Sequence, residues 1–344
     1  MYIYLKNLTG TQQVGAMFVI VFGLLLLASV VNFVMTLRAD AYDGADSDAE
    51  LDILTNPIGS RRYELRNLSG ILRTSWVMMI VFWLGWMAGE WVAIWLFGLI
   101  SFFALREFLT LSPTRRGDHR SLVLAFFVVL PVQYWLVGAE YFNLFTVFIP
   151  VYVFLAIPVV SALANDPQRF LERNAKLQWG IMVCIYGMSH VPALLLLDFP
   201  NYDKKNAFLV FFLVIIVQTC VVVQHVASRY LKRPPTAPNI SQSFNWRSWL
   251  LALFVAGLVG ALLSGITPFW PAQGFVMAII ACAAGTLGHF VMKALKRDRG
   301  IPSWGGQMAS VTGAGGLLDR VDALCFAAPV FFHSVRWYFG LRRY

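Results

Sequence analysis

The sequence predicts an all-α, polytopic integral membrane protein with about ten transmembrane helices, and two observations carry that reading. Of 344 residues, 58% are hydrophobic and only 13% charged, whereas an ordinary soluble domain carries about 25% charged residues. Charge-free runs near or above ~18 residues also recur along the chain, each long enough to cross the hydrocarbon core as a helix. A soluble enzyme, a disordered protein and a disulfide-stapled secreted scaffold are thereby excluded. Cys184, Cys220, Cys282 and Cys325 lie in apolar stretches without zinc or disulfide spacing, and read as buried small hydrophobes.

The first span runs from Gly15 to Leu37. Ala39-Asp40-Ala41 behind it resembles a signal-peptidase site, yet the apolar run exceeds the ~7–15 residues of a signal h-region, so it reads as a retained anchor. Residues 1–74, this anchor and a first cytoplasmic loop with an acidic stretch from Asp40 to Asp52, form one part of the chain; residues 75–344 form the membrane domain. Ser75 to Leu105 is interrupted at Gly89-Glu90 and reads as two short helices with a tight turn. Spans follow at about 121–138, 142–163, 178–197 and 206–228. The uncharged run 248–292 is too long for one crossing and breaks between Gly265 and Pro271, where Gly and Pro disfavour helix continuation. A last helix occupies about 320–338. Residues 300–318 are also uncharged but hold six glycines, too many for a stable helix, and read as a loop of exposed backbone.

Lys and Arg number 27 against 18 acidic residues, a formal net charge of +9. Of these cations, 21 fall in the loops after spans one, three, five, seven and nine, which puts those loops in the cytoplasm and the amino terminus outside. Arg336, Arg342 and Arg343 break the alternation, so either the last helix is re-entrant or a span is miscounted. The excess also attracts anionic lipids, with Arg115, Arg116 and Arg120 as candidates. No soluble module interleaves aromatic and basic residues, so nucleic acid is not an expected partner.

Two cytoplasmic loops stand out by composition. One runs from Arg229 to Arg247 and contains Ala237-Pro238-Asn239-Ile240-Ser241. The other runs from Lys293 to Asp322: a basic cluster (Lys293, Lys296, Arg297, Arg299), a glycine loop, then Asp319-Arg320-Val321-Asp322 at a helix start. Glycines let backbone N–H groups approach phosphate oxygens, and a helix amino terminus adds a favourable dipole. Asp319 and Asp322, at i and i+3, share a helical face suited to a divalent cation. A plainer reading stands beside this one: Asp319 as an N-cap, Asp322 favoured by the helix dipole, and the basic cluster as topology alone.

Lys296-Arg297, the glycine loop, and Gly315-Gly316-Leu317-Leu318-Asp319-Arg320-Val321-Asp322 resemble the carboxy-terminal signature of phosphatidate cytidylyltransferases, the CDP-diacylglycerol synthases. Ala237 to Ser241 resembles the family's other loop, and Ala104-Leu105-Arg106-Glu107-Phe108 its early region; the similarity covers about residues 70 to 335. The resemblance implies a bacterial cytoplasmic (inner) membrane enzyme, its active loops facing the cytoplasm, that joins CTP and phosphatidic acid to give CDP-diacylglycerol and pyrophosphate with Mg2+. It implies Asp319 and Asp322 as residues serving the metal and the nucleotide phosphates, and Asp298, nearby, is the candidate metal ligand in place of a missing family carboxylate. Lys296 and Arg297 would bind phosphates, Gly313, Gly315, Gly316 and Arg320 would lie on the nucleotide side, and Ser241 would belong to the substrate loop. CTP, phosphatidic acid, anionic lipids and the membrane are the implied partners, with a homodimer as an open assembly.

The family pattern is not complete. Lys293 stands where the signature begins with Ser, Pro302-Ser303-Trp304 where it has Lys-Asp, and Ala314 where it has His. In the other loop, Gln242-Ser243-Phe244-Asn245 replaces Pro-x-Lys-Thr, and Gln224 and His225 lie near an acidic position of the family. A non-catalytic member that binds lipid or nucleotide, or acts as a membrane partner, is therefore the competing expectation. A transporter is the third, motivated by the intramembrane polar residues His190, Gln218, Gln224, His225, His289 and His333.

Overall fold

The computed structural model describes residues 10–43, 76, 79–80, 83–85, 87–111, 115–199, 202, 206–231, 234–241, 243–301, 304 and 316–341. Nine long helices lie among these residues. They are α1 (Gly10–Asp43), α2 (Glu90–Thr110), α3 (Arg116–Gly138), α4 (Phe142–Ala162) and α5 (Phe170–Leu196). After them come α6 (Ala207–Leu231), α7 (Trp246–Leu262), α8 (Pro271–Arg299) and α9 (Leu317–Tyr338). Further helical positions occur between residues 76 and 88. Apart from one isolated antiparallel bridge between Ala237 and Ser241, the described residues contain no β-structure. Helices α1 to α8 are each long and apolar enough to cross a membrane. With α9 and the helical positions 76–88, the all-α architecture agrees with the expected ten or so spans.

The chain groups into two compact units, Met1–Met87 and Ala88–Tyr344. In the first, the Trp76 indole N–H donates to Ser29 of α1 at 3.0 Å, and the Trp76 ring meets Phe22 at 5.6 Å. Leu26, Leu27 and Phe33 of α1 are each more than half exposed, a surface that suits lipid and not water. The acidic stretch of the first loop falls largely outside the described residues.

In the second unit, Gly89 takes φ +96°, which only glycine adopts readily, and α2 begins just after it. The break expected within Ser75 to Leu105 falls there. Residues 125–129, 148–153 and 181–187 widen into π turns. Pro131 follows the first of these and Pro150 lies inside the second. Proline lacks an N–H and crowds the carbonyl one turn back, and a wider turn relieves both problems.

Helix α9 is the centre of the packing, with Leu318, Val321, Asp322, Cys325, Phe331 and Phe332 all buried. A Cβ at Gly187 of α5 would lie 2.3 Å from the Cys325 carbonyl oxygen, and one at Gly288 of α8 would lie 2.1 Å from the Phe326 ring. Glycine at both positions lets α5 and α8 close on α9, as small residues do where membrane helices cross. The four cysteines are buried free thiols, as expected.

The connections sort to two ends of this unit. At one end Arg173 of α5 pairs with Asp118 at 3.1 Å and with Asp166, tying the α2–α3 and α4–α5 connections together. Glu107 of α2 meets the start of α9 at the same end. At the other end Arg336 of α9 donates to Asn143 of α4 at 2.8 Å, and Gln273 of α8 donates to Tyr338 at 2.7 Å. Helix α9 therefore runs from one of these ends to the other. Arg336 sits beside the α3–α4 turn, held by a side-chain partner; Arg342 and Arg343 lie outside the described residues. Within the glycine loop, residues 305–315 lie outside the described residues too. Trp304 departs from the expected exposure: it is buried, with its ring 5.1 Å from Phe108.

Candidate functional site

The site is built where the end of α8 meets the start of α9. His289, Lys293 and Lys296 stand at i, i+4 and i+7 on α8, a spacing that places them on one helical face. Helix α9 returns antiparallel after the glycine loop, and the i, i+3 pair Asp319 and Asp322 in its first turns faces them. Lys296 Nζ donates to Asp319 Oδ1 at 2.6 Å, and the Trp304 backbone N–H donates to Asp319 Oδ2 at 2.8 Å. One turn along, His289 Nδ1 donates to Asp322 Oδ2 at 2.8 Å, while the Ala323 N–H reaches Asp322 Oδ1 at 2.6 Å. Asp322 is almost fully enclosed, at 2% exposure, a position that a carboxylate tolerates only when its oxygens are paired.

The amino terminus of α9 is filled by a residue from elsewhere. Glu107 of α2 accepts from the Gly316 N–H at 2.6 Å through one oxygen and from the Leu318 N–H at 2.8 Å through the other. Gly316, the residue before the helix, has φ +83°, which presents its N–H to that carboxylate. The expectation of Asp319 as an N-cap is thus corrected, since Gly316 holds that position. Glu107 satisfies the first N–H groups of α9, whereas Asp319 and Asp322 point across to α8.

Asp298 does not join this group. It lies two residues beyond Lys296, which on an α-helix is about 200° around the axis, so it faces away when Lys296 faces Asp319. Its side chain is 70% exposed and lies 3.6 Å from Arg299. Among the described residues, no three His, Cys, Asp or Glu side chains come together as a metal-holding group, so the trio Asp298, Asp319 and Asp322 is not assembled. Arg297 is exposed and Arg320 half-buried. Gly313 and Gly315 lie outside the described residues.

Ser241 is buried in the α6–α7 loop. The loop folds on itself through the Ser241 N–H to the Ala237 carbonyl at 2.9 Å and the Thr236 N–H to the Phe244 carbonyl at 2.9 Å. Asn245 then caps α7 by accepting from the Ser248 N–H at 2.8 Å. Phe244 packs on Phe290 with ring centroids 4.6 Å apart, which docks the loop against α8 at the residue after His289. Arg115, Arg116 and Arg120 are exposed at the same end of the unit. There the Arg173 guanidinium, donating to Asp166, holds that carboxyl below the usual carboxylate range.

A family model described as the cytidylyltransferase family matches residues 71–338, a stretch that contains Glu107, His289, Lys296, Asp319 and Asp322. The chain belongs to the cytidylyltransferase family. It is 31% identical over 268 residues to the uncharacterized protein YnbB of Escherichia coli (strain K12), covering 77% of this chain and 86% of that protein. It is 32% identical over 175 residues to a phosphatidate cytidylyltransferase of Mycobacterium leprae, covering 49% of this chain and 52% of that one. It is also 27% identical over 161 residues to a phosphatidate cytidylyltransferase of Rickettsia bellii, covering 44% and 68% respectively. The chain thus spans most of YnbB and about half of the mycobacterial enzyme.

Two residues of this candidate site carry no site role in the sequence reading. Glu107 appears there only within a family-like stretch, although a carboxylate near the end of an apolar span is itself a signal. His289 appears only as an intramembrane polar residue; its i, i+4, i+7 register with Lys293 and Lys296 places it on the same face as the lysines.

Proposed function

We propose that the protein transfers the cytidylyl group of CTP to phosphatidic acid, giving CDP-diacylglycerol and pyrophosphate. Family membership supports a cytidylyltransferase. The observation that carries the finer reading is the meeting of the Asp319 and Asp322 carboxylates with the cationic face of α8, at an end of the bundle where a lipid headgroup and a soluble nucleotide can both arrive. In the reaction a phosphate oxygen of phosphatidic acid attacks the α-phosphorus of CTP. The bond from that phosphorus to the bridging oxygen breaks, and pyrophosphate leaves.

Magnesium fits the donors present. It is commonly held by one or two carboxylates, with substrate phosphates and water completing the shell, and Asp319 and Asp322 supply two hard oxygen donors one turn apart. When bound, the ion neutralises charge that builds up on the transferring phosphate. Lys296 and the Trp304 N–H fix the orientation of Asp319, and His289 fixes that of Asp322. Arg297 and Arg320 add positive charge for the triphosphate, and Ser241, in the loop docked on α8, lies on the lipid side. The end of the bundle bearing these groups faces the cytoplasm of a bacterial inner membrane, where CTP is available.

A non-catalytic binding role is favoured by one observation, that both aspartates are already paired with side chains of α8. Purified full-length protein, incubated with CTP labelled at the α-phosphate, phosphatidic acid and magnesium, separates the two. Label moving into the lipid fraction with equimolar pyrophosphate release, and neither in Asp319→Ala, is the expected result. Absence of lipid-borne label from the wild type would refute the transferase.

A further inference from the structure

Lys293 stands in the middle of the α8 face, one turn after His289 and one turn before Lys296. Its neighbours on that face are both engaged, Lys296 with Asp319 and His289 with Asp322. Lys293 is half-buried, lies within electrostatic reach of Lys296 and Asp322, and donates no hydrogen bond and forms no ion pair among the described residues. A half-buried ammonium beside a second cation is unfavourable unless an anion is supplied. Among the described residues no carboxylate pairs with it: Asp319 is taken by Lys296, Asp322 by His289 and Glu107 by the amino terminus of α9. That last contact matters twice, because it also fills the helix terminus at which a phosphate would otherwise dock.

We infer that Lys293 is the residue that binds the substrate phosphate dianion in this site, and that Lys296 instead positions Asp319. The inference rests on the transferase reading for its substrates. Its ligand chemistry is a phosphate oxygen, which either the triphosphate of CTP or the headgroup of phosphatidic acid provides. A strongly hydrated, compact ammonium on a flexible stem suits such a ligand.

The test uses the full-length protein in phosphatidylcholine nanodiscs, with and without phosphatidic acid, and compares Lys293→Met and Lys293→Arg with the wild type. Equilibrium binding of labelled CTP, KM and kcat for each substrate, and the thermal midpoint without substrate are measured. The expected result for Lys293→Met is a loss of tenfold or more in affinity for CTP or in KM for phosphatidic acid, with most of it restored in Lys293→Arg. Its thermal midpoint is expected to equal or exceed that of the wild type, because an unpaired half-buried charge has been removed; a purely structural lysine would move it the other way. A loss confined to CTP assigns the contact to the nucleotide, and one confined to phosphatidic acid assigns it to the lipid. Unchanged affinity for both, a lowered thermal midpoint, or a wild type that binds neither probe overturns the inference. A wild type that binds CTP yet makes no CDP-lipid defeats the transferase alone, since the binding comparison still tests Lys293.

Discussion

Asp319 is gripped from two sides, by the Lys296 ammonium and by a backbone N–H, and both members of the ion pair are largely buried, with side chains 14% and 18% exposed. Removing one partner of such a pair strands the other's charge in a poorly solvated place. Lys296→Met is therefore expected to cost about 2 kcal/mol of stability in detergent unfolding, and adding Asp319→Asn to recover most of it, since a neutral amide needs no counter-ion. At this scale the pair Asp319 and Asp322 is legible from spacing and from the family-like stretch around them. Glu107 is not, because its partners are backbone groups some two hundred residues away and a cap supplied from another helix leaves no local pattern. Asp298 misleads for a different reason: it is close to the other acids in sequence, but its angle around the helix axis turns it away from them.

The elements that hold these side chains are set by helix-to-helix approach more than by any loop. Helix α9 is gripped between α5 and α8 through Gly187 and Gly288, and a methyl group at Gly187 meets a backbone carbonyl that cannot swing aside. Gly187→Ala is expected to lower stability by about 1–3 kcal/mol, the usual range for forced overpacking, and to lower transferase activity with it by shifting Asp322 against His289. Chemical unfolding in micelles reads the first effect. The spans themselves are legible as charge-free runs, and so is the break at Gly89. The π turns are not, since widening depends on how a proline-bearing helix packs. Nor is the central place of α9, whose Asp319, Arg320, Asp322 and Arg336 give it a polar sequence that conceals how deeply its apolar residues are buried.

Across the whole second unit, the two ends differ in charge and in work. In the proposed reaction the end with Glu107, Asp118, Asp166, Arg173 and the α8–α9 pair carries the chemistry, and the end with Asn143, Gln273 and Arg336 ties helices together. Because the native cysteines are all buried, single introduced thiols report sidedness cleanly. An impermeant maleimide is expected to label Tyr141→Cys in intact cells and Arg116→Cys only after permeabilisation; the reverse order would invert the orientation read from the loop charges. The alternation of loop charge makes the two ends legible in advance; the one discordant residue that is described, Arg336, donates to Asn143 at the end opposite the α8–α9 pair.

In the proposed reaction, Asp319 and Asp322 of α9 would hold a divalent cation that neutralises charge on the triphosphate. Manganese, a paramagnetic stand-in for magnesium, reads this directly by electron paramagnetic resonance on the full-length protein with CTP. The expected result is a protein-bound manganese–CTP signal whose affinity falls tenfold or more in Asp319→Asn and in Asp322→Asn and is unchanged in Asp298→Asn. Equal affinity in the wild type and both α9 variants, or a loss in Asp298→Asn alone, would contradict it.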